Sequence, residues 1–106
     1  MATQYLTVFS AFGNLDTARS AARTLVEEKF AACANIIIQI ESIYRWKGKV
    51  ESTNEALVIF KTTRERYGVF EARLRELHPY EVPEIIAVEI EAGWPAYLEW
   101  VGESIS

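Results

Sequence analysis

The residues with the clearest chemical potential lie in one short stretch of this sequence, which reads His78-Pro79-Tyr80-Glu81-Val82-Pro83-Glu84. Two prolines bracket Tyr80 and Glu81 and fix the backbone there at low entropic cost, because each ring locks its own φ angle. A rigidly placed phenol and carboxylate suit the recognition of a small polar ligand or a cation. They suit ordinary loop packing equally well.

The chain has a single histidine, His78, and a single cysteine, Cys33. An imidazole can ligate copper or zinc, and a thiol is a soft metal ligand. His78 also ends a predicted helix, where the helix dipole favours its cationic, capping form. Cys33 follows Phe30-Ala31-Ala32 at a helix-to-strand junction, where a cysteine commonly serves as a small buried apolar filler. Neither Cys-x-x-Cys nor His-x-x-x-His spacing occurs, so the structural interpretation is favoured for both and the metal role is the alternative.

Motifs of enzyme active sites are missing from the sequence. There is no G-x-S-x-G nucleophile elbow, no P-loop and no G-x-G-x-x-G. We therefore expect no catalytic residues and no required cofactor. Nucleophilic chemistry by Cys33 with His78 stays open, as does a small-molecule enzyme that uses His78, Tyr80 and Glu81. A scaffold that recruits another protein is a third possibility.

Composition bounds the remaining classes. The 106 residues suffice for one domain, residues 1–106. A net charge of −4 with scattered Lys and Arg argues against nucleic-acid and anionic-membrane partners. The N-terminus lacks the basic start and apolar run of a signal peptide, and no apolar stretch reaches the roughly 20 residues of a membrane helix. One cysteine cannot form an intrachain disulfide, so we expect a cytoplasmic protein.

Hydrophobic periodicity predicts the order β-α-β-β-α-β followed by a short C-terminal helix, which is the ferredoxin-like α+β arrangement. The first helix is alanine-rich and follows a cap at Asn14 or Asp16, and the second begins at the capping box Thr62-x-x-Glu65. The last helix opens near Pro95. Strands are predicted over Tyr5–Phe12, Asn35–Trp46, Val50–Lys61 and Glu84–Ala92.

The central hairpin, with its turn at Lys47-Gly48-Lys49, is too long for the rest of the chain to cover. Each arm has about 12 residues, or roughly 40 Å of strand, whereas the helices would span only about 21–25 Å. Its far half nevertheless carries large apolar side chains. Because a bare two-stranded ribbon is marginal in water and free edges invite pairing, we predict a homo-oligomer with closed symmetry. A bulge that folds the ribbon back over its own domain is the alternative. The predicted contact residues are Ile43, Tyr44, Trp46 and Val50.

These residues also match a known family. The sequence resembles the CutA family of divalent-cation tolerance proteins over nearly its whole length, in order and at the family's spacings. The stretch at residues 78–85 is highly specific to that family. The segments that carry the resemblance are Phe30–Ile36, Ser42–Lys49, Leu57–Thr62, His78–Ile85 and Tyr97–Trp100.

The resemblance implies a cytosolic homotrimer assembled through its long hairpins, akin to the PII signalling trimers. It implies tolerance of copper and other divalent ions, with no known reaction. It also implies a ligand cleft near the subunit boundary, lined by Lys61, Tyr80, Glu81 and Trp100. We therefore predict a non-enzymatic trimer that binds Cu²⁺, another divalent ion or a small ligand weakly at these clefts.

This sequence departs from the copper site that the resemblance implies for some members of that family. In those members the pattern is a cysteine in the first strand and paired histidines before Pro-Tyr. Here Phe9 and Leu77 stand at the first cysteine and first histidine positions, which leaves only His78 of that set.

Overall fold

Seven elements follow one another in the order that the sequence predicts. A computed structural model describes residues 4–106, so residues 1–3, where a leader sequence would begin, lie outside the described residues. The four strands form one antiparallel sheet of order β2-β3-β1-β4, which confirms the α+β, ferredoxin-like topology. The elements are β1 (Tyr5–Phe12), α1 (Leu15–Glu27), β2 (Cys33–Trp46), β3 (Lys49–Thr63), α2 (Arg64–Leu77), β4 (Ile86–Glu89) and α3 (Pro95–Ser104).

Side-chain caps begin the first two helices. Asn14 caps α1, since its side-chain oxygen accepts a first-turn backbone N–H at 2.8 Å. The cap of α2 is Thr63, whose hydroxyl accepts the backbone N–H of Arg66 at 3.2 Å. The predicted cap, Thr62, is one residue too early. Its side chain is buried in the core, where the hydroxyl donates to the carbonyl of Phe30 at 2.8 Å.

Helices α1 and α2 cover one face of the sheet. Phe60 of β3 meets Phe70 of α2 edge to face, with ring centroids 5.1 Å apart. The alanine-rich stripe of α1 lets that helix approach the strands closely. Alternate residues of the two central strands are buried beneath the helices, and they are Leu6, Val8, Ser10, Phe12, Ala56, Val58, Phe60 and Thr62.

The opposite face of the sheet is largely uncovered. Of the helices in the described part of the chain, α3 alone lies on it, at one end, where Val101 and Ile105 pack against Tyr5 and Ala32. Beyond α3 this face is apolar, and its edge-strand residues are about half exposed. We call it the open face, and its residues are Phe9, Ile37, Leu57, Ile59, Ile86 and Val88.

The last strand is shorter than predicted. β4 spans Ile86–Glu89, against an expected Glu84–Ala92, and it pairs with β1 only as far as Phe9. The next carbonyl on that edge of β1, at Ala11, is occupied by the ring of His78 at 2.8 Å. An imidazole therefore takes the place at which the strand would have continued.

Each arm of the hairpin is longer than the roughly 12 residues predicted, with 14 residues in β2 and 15 in β3. β2 begins at Cys33, two residues before the predicted start. Lys47 and Gly48 form the turn, with φ angles of 51° and 81°. A register shift between Ile37 and Ile40 marks a bulge, as one alternative anticipated. The bulge does not hide the far half, because Ile43 and Val50 remain 69% and 66% exposed.

One buried polar group yields a stability prediction. The Ser10 hydroxyl is fully buried and has no hydrogen-bond partner among residues 4–106, so Ser10→Ala should raise the free energy of unfolding by about 1 kcal/mol. Thr62→Val is the matched control, because it removes a buried hydroxyl that is bonded, and it should lower that free energy by about 1 kcal/mol. Urea denaturation at fixed protein concentration measures both. Equal destabilisation by the two substitutions would contradict the assignment.

Candidate functional site

A cavity lies between the hairpin and the loop that joins α2 to β4. It measures about 700 Å³ and opens on the same side of the hairpin as the open face. The bulged hairpin supplies one wall and the proline-bracketed loop supplies the other. We call it the hairpin cavity, and it is lined by Ala11, Ser42, Ile43, Tyr44, Trp46, Thr53, Glu55, Tyr80, Glu81, Val82 and Glu84.

Tyr80 ties the loop to the hairpin. Its hydroxyl donates to a carboxylate oxygen of Glu55 at 2.6 Å, a short charge-assisted hydrogen bond. Burial and this bond raise the pKa of Tyr80, so the phenol remains a protonated donor. The ring lies against Gly13, where an added Cβ would come within 3.1 Å of the hydroxyl oxygen. A larger residue at position 13 would therefore require the Tyr80 ring to shift by a few tenths of an ångström.

His78 anchors the start of the same loop. Its side chain is only 6% exposed and stacks on Phe12 with ring centroids 4.1 Å apart. Nε2 lies 2.8 Å from the Ala11 carbonyl oxygen, while Nδ1 accepts the backbone N–H of Tyr80 at 3.2 Å. One tautomer satisfies both contacts, namely the neutral ring with its proton on Nε2.

This environment corrects the expectation of a cationic histidine, although His78 is the C-cap residue of α2 and its backbone N–H donates to the Leu74 carbonyl at 2.9 Å. Burial lowers the pKa of His78, and the ring bonds to β1 and to its own loop rather than to the end of α2. Both ring nitrogens are occupied, so no lone pair is available for a metal ion. The geometry therefore gives no support to His78 as a metal ligand.

Lys61 and Trp100 belong to a second group of side chains, beneath α3. Lys61 Nζ donates to the side-chain oxygen of Asn35 at 3.2 Å, and its partner across the strands is Cys33. The Cys33 sulfur lies 3.7 Å from the hydroxyl of Tyr97, whose ring lies 5.6 Å from that of Trp100. Cys33 is half-buried, not the fully buried filler expected. We call these five residues the Lys61 cluster.

One chain does not bring the four predicted ligand residues together. Tyr80 is bonded to Glu55, and Lys61 lies six positions further along β3, a distance of roughly 20 Å along the strand. Tyr80 and Glu81 thus line the hairpin cavity, while Lys61 and Trp100 lie at the far end of the same sheet face.

Several cavity residues are absent from the sequence-based prediction of the ligand site. Glu55 is one of them. Side-chain alternation along β3 places it on the same face as Lys61, and nothing else in the sequence indicates that it belongs to the site. Tyr44 and Trp46 were predicted as contact residues, and the structure places them in the cavity wall. Within residues 4–106, no three His, Cys, Asp or Glu side chains converge as a metal ion requires.

Comparison with known proteins adds an independent result. The family model described as CutA1 divalent ion tolerance protein matches residues 6–104. A Xenopus laevis protein named Protein CutA homolog is 48% identical over 92 residues, and Protein CutA of Mus musculus is 47% identical over 88. These alignments cover 87% and 83% of this chain but only 61% and 50% of the relatives, so the chain spans about half to three-fifths of their length.

Solved structures agree with the sequence matches. The structure of the divalent cation tolerance protein Cut A1 from Thermus thermophilus superimposes with a TM-score of 0.93 at 40% identity. The superposition covers 96% of this chain and 99% of that one. Separately, between residues 4 and 106 there is no helix of the length and apolar character needed to cross a bilayer.

The buried histidine predicts a pH dependence of stability. The unfolded chain binds a proton on His78 near its ordinary pKa of 6.5, whereas the folded state resists protonation. Stability should therefore fall as the pH drops below about 6.5, by at most about 1.4 kcal/mol per pH unit. His78→Gln should remove this loss, which denaturation at pH 7.5 and 5.5 would measure. Equal losses in both proteins would show that His78 is not responsible.

Proposed function

The chain belongs to the CutA1 divalent ion tolerance family, and from that premise we propose that it works as a non-enzymatic homotrimer. It binds a divalent ion or a small ligand weakly in clefts beside its subunit boundaries. The observation that carries the proposal is the open face, an apolar sheet surface that its own helices leave uncovered.

Two further features of the sheet support assembly. Its edge strands, β2 and β4, each have one side without a strand neighbour in the described chain. A long unpaired edge such as that of β2 is a template for pairing with another chain. On the hairpin, Ile43 and Val50 share the side opposite to that of Tyr44 and Trp46, and both are about two-thirds exposed. Copies of the chain that pair with these edges would also bury the exposed side chains on both sides of the hairpin.

Assembly would also complete the cleft. Since about 20 Å of strand separates Glu55, the partner of Tyr80, from Lys61 in one chain, a small ligand can contact both Tyr80 and Lys61 only if neighbouring copies contribute one each. The hairpin cavity carries the carboxylates Glu55, Glu81 and Glu84, whereas the side-chain partner of Lys61 is the neutral amide of Asn35. The two groups are therefore electrostatically complementary.

For a metal ion, the chemistry of the described residues favours weak binding. The thiol of Cys33 is an accessible soft ligand and the carboxylate of Glu81 an accessible hard one. The described residues form no cluster of three metal-ligating side chains that would hold an ion between them. Copper as the preferred ion and a cytoplasmic location remain part of the proposal. A general acid–base role for His78 is disfavoured, because both of its ring nitrogens are hydrogen-bonded inside the fold.

Sedimentation equilibrium at micromolar concentration tests the assembly, and we expect the mass of three chains. Ile43→Asp should shift the population towards smaller species, because a carboxylate would be placed in a dry contact. Val69→Asp is the matched control, since Val69 is also an exposed apolar residue but lies on α2, away from the hairpin. A wild-type monomer, or equal dissociation by both variants, would contradict the proposal.

Calorimetric titration with Cu²⁺ and Zn²⁺ tests the ligand part. We expect weak binding whose affinity changes by less than about twofold in His78→Gln, and a clear loss of Cu²⁺ binding in Cys33→Ser. Circular dichroism confirms that both variants fold. Tight Cu²⁺ binding that disappears in His78→Gln would contradict this assignment.

A further inference from the structure

The ring of His78 makes two hydrogen bonds of opposite kinds. Its Nε2 lies 2.8 Å from the carbonyl oxygen of Ala11, a group that only accepts, so Nε2 must donate. Its Nδ1 lies 3.2 Å from the backbone nitrogen of Tyr80, a group that only donates, so Nδ1 must accept. A proton added at Nδ1 turns that atom into a second donor. The bond to Ala11 therefore survives protonation of the ring, whereas the bond to Tyr80 does not.

The loop that joins α2 to β4 depends on Tyr80 for its position. Among the described residues, residues 79–84 make no backbone–backbone hydrogen bond, and the two prolines of this segment have no N–H to offer. The hydrogen bonds that hold the segment are two, and both belong to Tyr80. Its N–H donates to His78, and its hydroxyl donates to Glu55 at 2.6 Å.

The same segment has little buried surface to hold it. All of residues 79–84 except Pro83 are exposed in the chain, whereas Leu77 and Ile85 at its two ends pack against the core. Segments with few buried contacts open at a lower free-energy cost than the whole fold does. Residues 79–84 can therefore move while both of their ends stay in place.

The surroundings of the imidazole belong to the fold of a single chain, because His78 is only 6% exposed there. β1 presents the Ala11 carbonyl and the uncharged ring of Phe12 to it. Across from β1, the carboxylate of Glu55 attracts a proton to the ring, but burial outweighs it and keeps the pKa of His78 below 6.5. The charged and titratable side chains on the hairpin, the loop and the last turn of α2 around this site are Tyr44, Glu55, Arg75, Glu76, Tyr80, Glu81 and Glu84.

We propose that His78 is a pH-sensitive switch: uptake of a proton by its ring releases the backbone N–H of Tyr80, and residues 79–84 leave the hairpin while the sheet and helices stay folded. The ring keeps its bond to Ala11. Release moves Tyr80 and Glu81 away from the cleft, so the neutral ring keeps the cleft formed and the cationic ring opens it. This inference deepens the proposed function by adding regulation by pH to the same site, and it rests on that function only for the existence of the cleft.

The direction of the effect follows from proton linkage. In the open form water reaches Nδ1, so His78 takes up a proton near its ordinary pKa of 6.5, whereas the closed form resists protonation. The equilibrium constant for opening should therefore change little above pH 6.5 and rise by at most about tenfold per pH unit below it.

Native-state amide hydrogen exchange at pH 7.5 and 5.5 tests the switch. After correction for the intrinsic exchange rate, the protection of the Tyr80 amide should fall about tenfold between these pH values. Low concentrations of urea should leave that protection unchanged, because a local opening exposes little surface. The amide of Val8, in the centre of β1, should be better protected at both pH values and should lose protection steadily as urea is added.

Two variants separate the imidazole from the rest of the loop. His78→Gln should abolish the pH dependence of the Tyr80 amide, because glutamine offers a donor and an acceptor but does not titrate. Tyr80→Phe is the matched control, since it removes the bond to Glu55 and keeps the N–H on His78. Its amide should be less protected at both pH values and still lose about tenfold between them. Nitrogen NMR of the unaltered ring gives a second readout, in which Nδ1 gains its proton with the same midpoint at which the Tyr80 amide shifts.

Three results would overturn the switch: equal protection of the Tyr80 amide at the two pH values, a tenfold fall that persists in His78→Gln, or equal protection and urea dependence of the Tyr80 and Val8 amides. The last would show that the loop opens only when the whole chain unfolds. The sedimented mass of the same samples separates this inference from the proposed function. An intact trimer whose Tyr80 amide is insensitive to pH contradicts only the switch, whereas a monomer whose Tyr80 amide responds as expected contradicts only the assembly.

Discussion

Helices α1 and α2 cover one face of a four-stranded sheet while α3 covers only one end of the other, and most properties of the chain follow from that limit. On the covered face, Val8, Val58 and Phe60 are completely buried. On the open face and the hairpin, Ile86, Val88, Ile43 and Val50 are half to two-thirds exposed. Full burial of one such side chain is worth about 1.5–3 kcal/mol, so covering this surface with copies of the chain offers a large gain in stability. The proposed trimer would bury this surface and so gain that stability.

The loop at residues 78–85 is held by the same sheet. His78 takes the place of a strand at the edge of β1, and its ring also receives the N–H of Tyr80. That bond aims the Tyr80 ring across Gly13 towards Glu55, and a cavity forms between loop and hairpin. A single buried, neutral imidazole thus sets both the length of β4 and the geometry of the candidate site. The residue that first suggested metal chemistry therefore has a structural role.

Local patterns sufficed to predict the element order and the long hairpin, whose far half the structure shows to be exposed. Alternation and helical periodicity report which residues face a core, and turn and cap residues report where elements end. The site was predicted only in part. Tyr80 and Glu81 were found because prolines bracket them, but Glu55 joins them through a contact between residues far apart in sequence. The protonation state of His78 was mispredicted, since it depends on a β1 carbonyl that no local pattern reveals.

Amide hydrogen exchange along β2 tests most directly whether other copies of the chain cover the open face and its edges. In an isolated chain, the N–H groups on the outer side of β2 point away from β3 and lack a strand partner. We expect these amides to be as protected as those of the central strand β1 at micromolar concentration, and to lose protection on dilution. Exchange at the rate of an exposed loop, independent of protein concentration, would contradict the account.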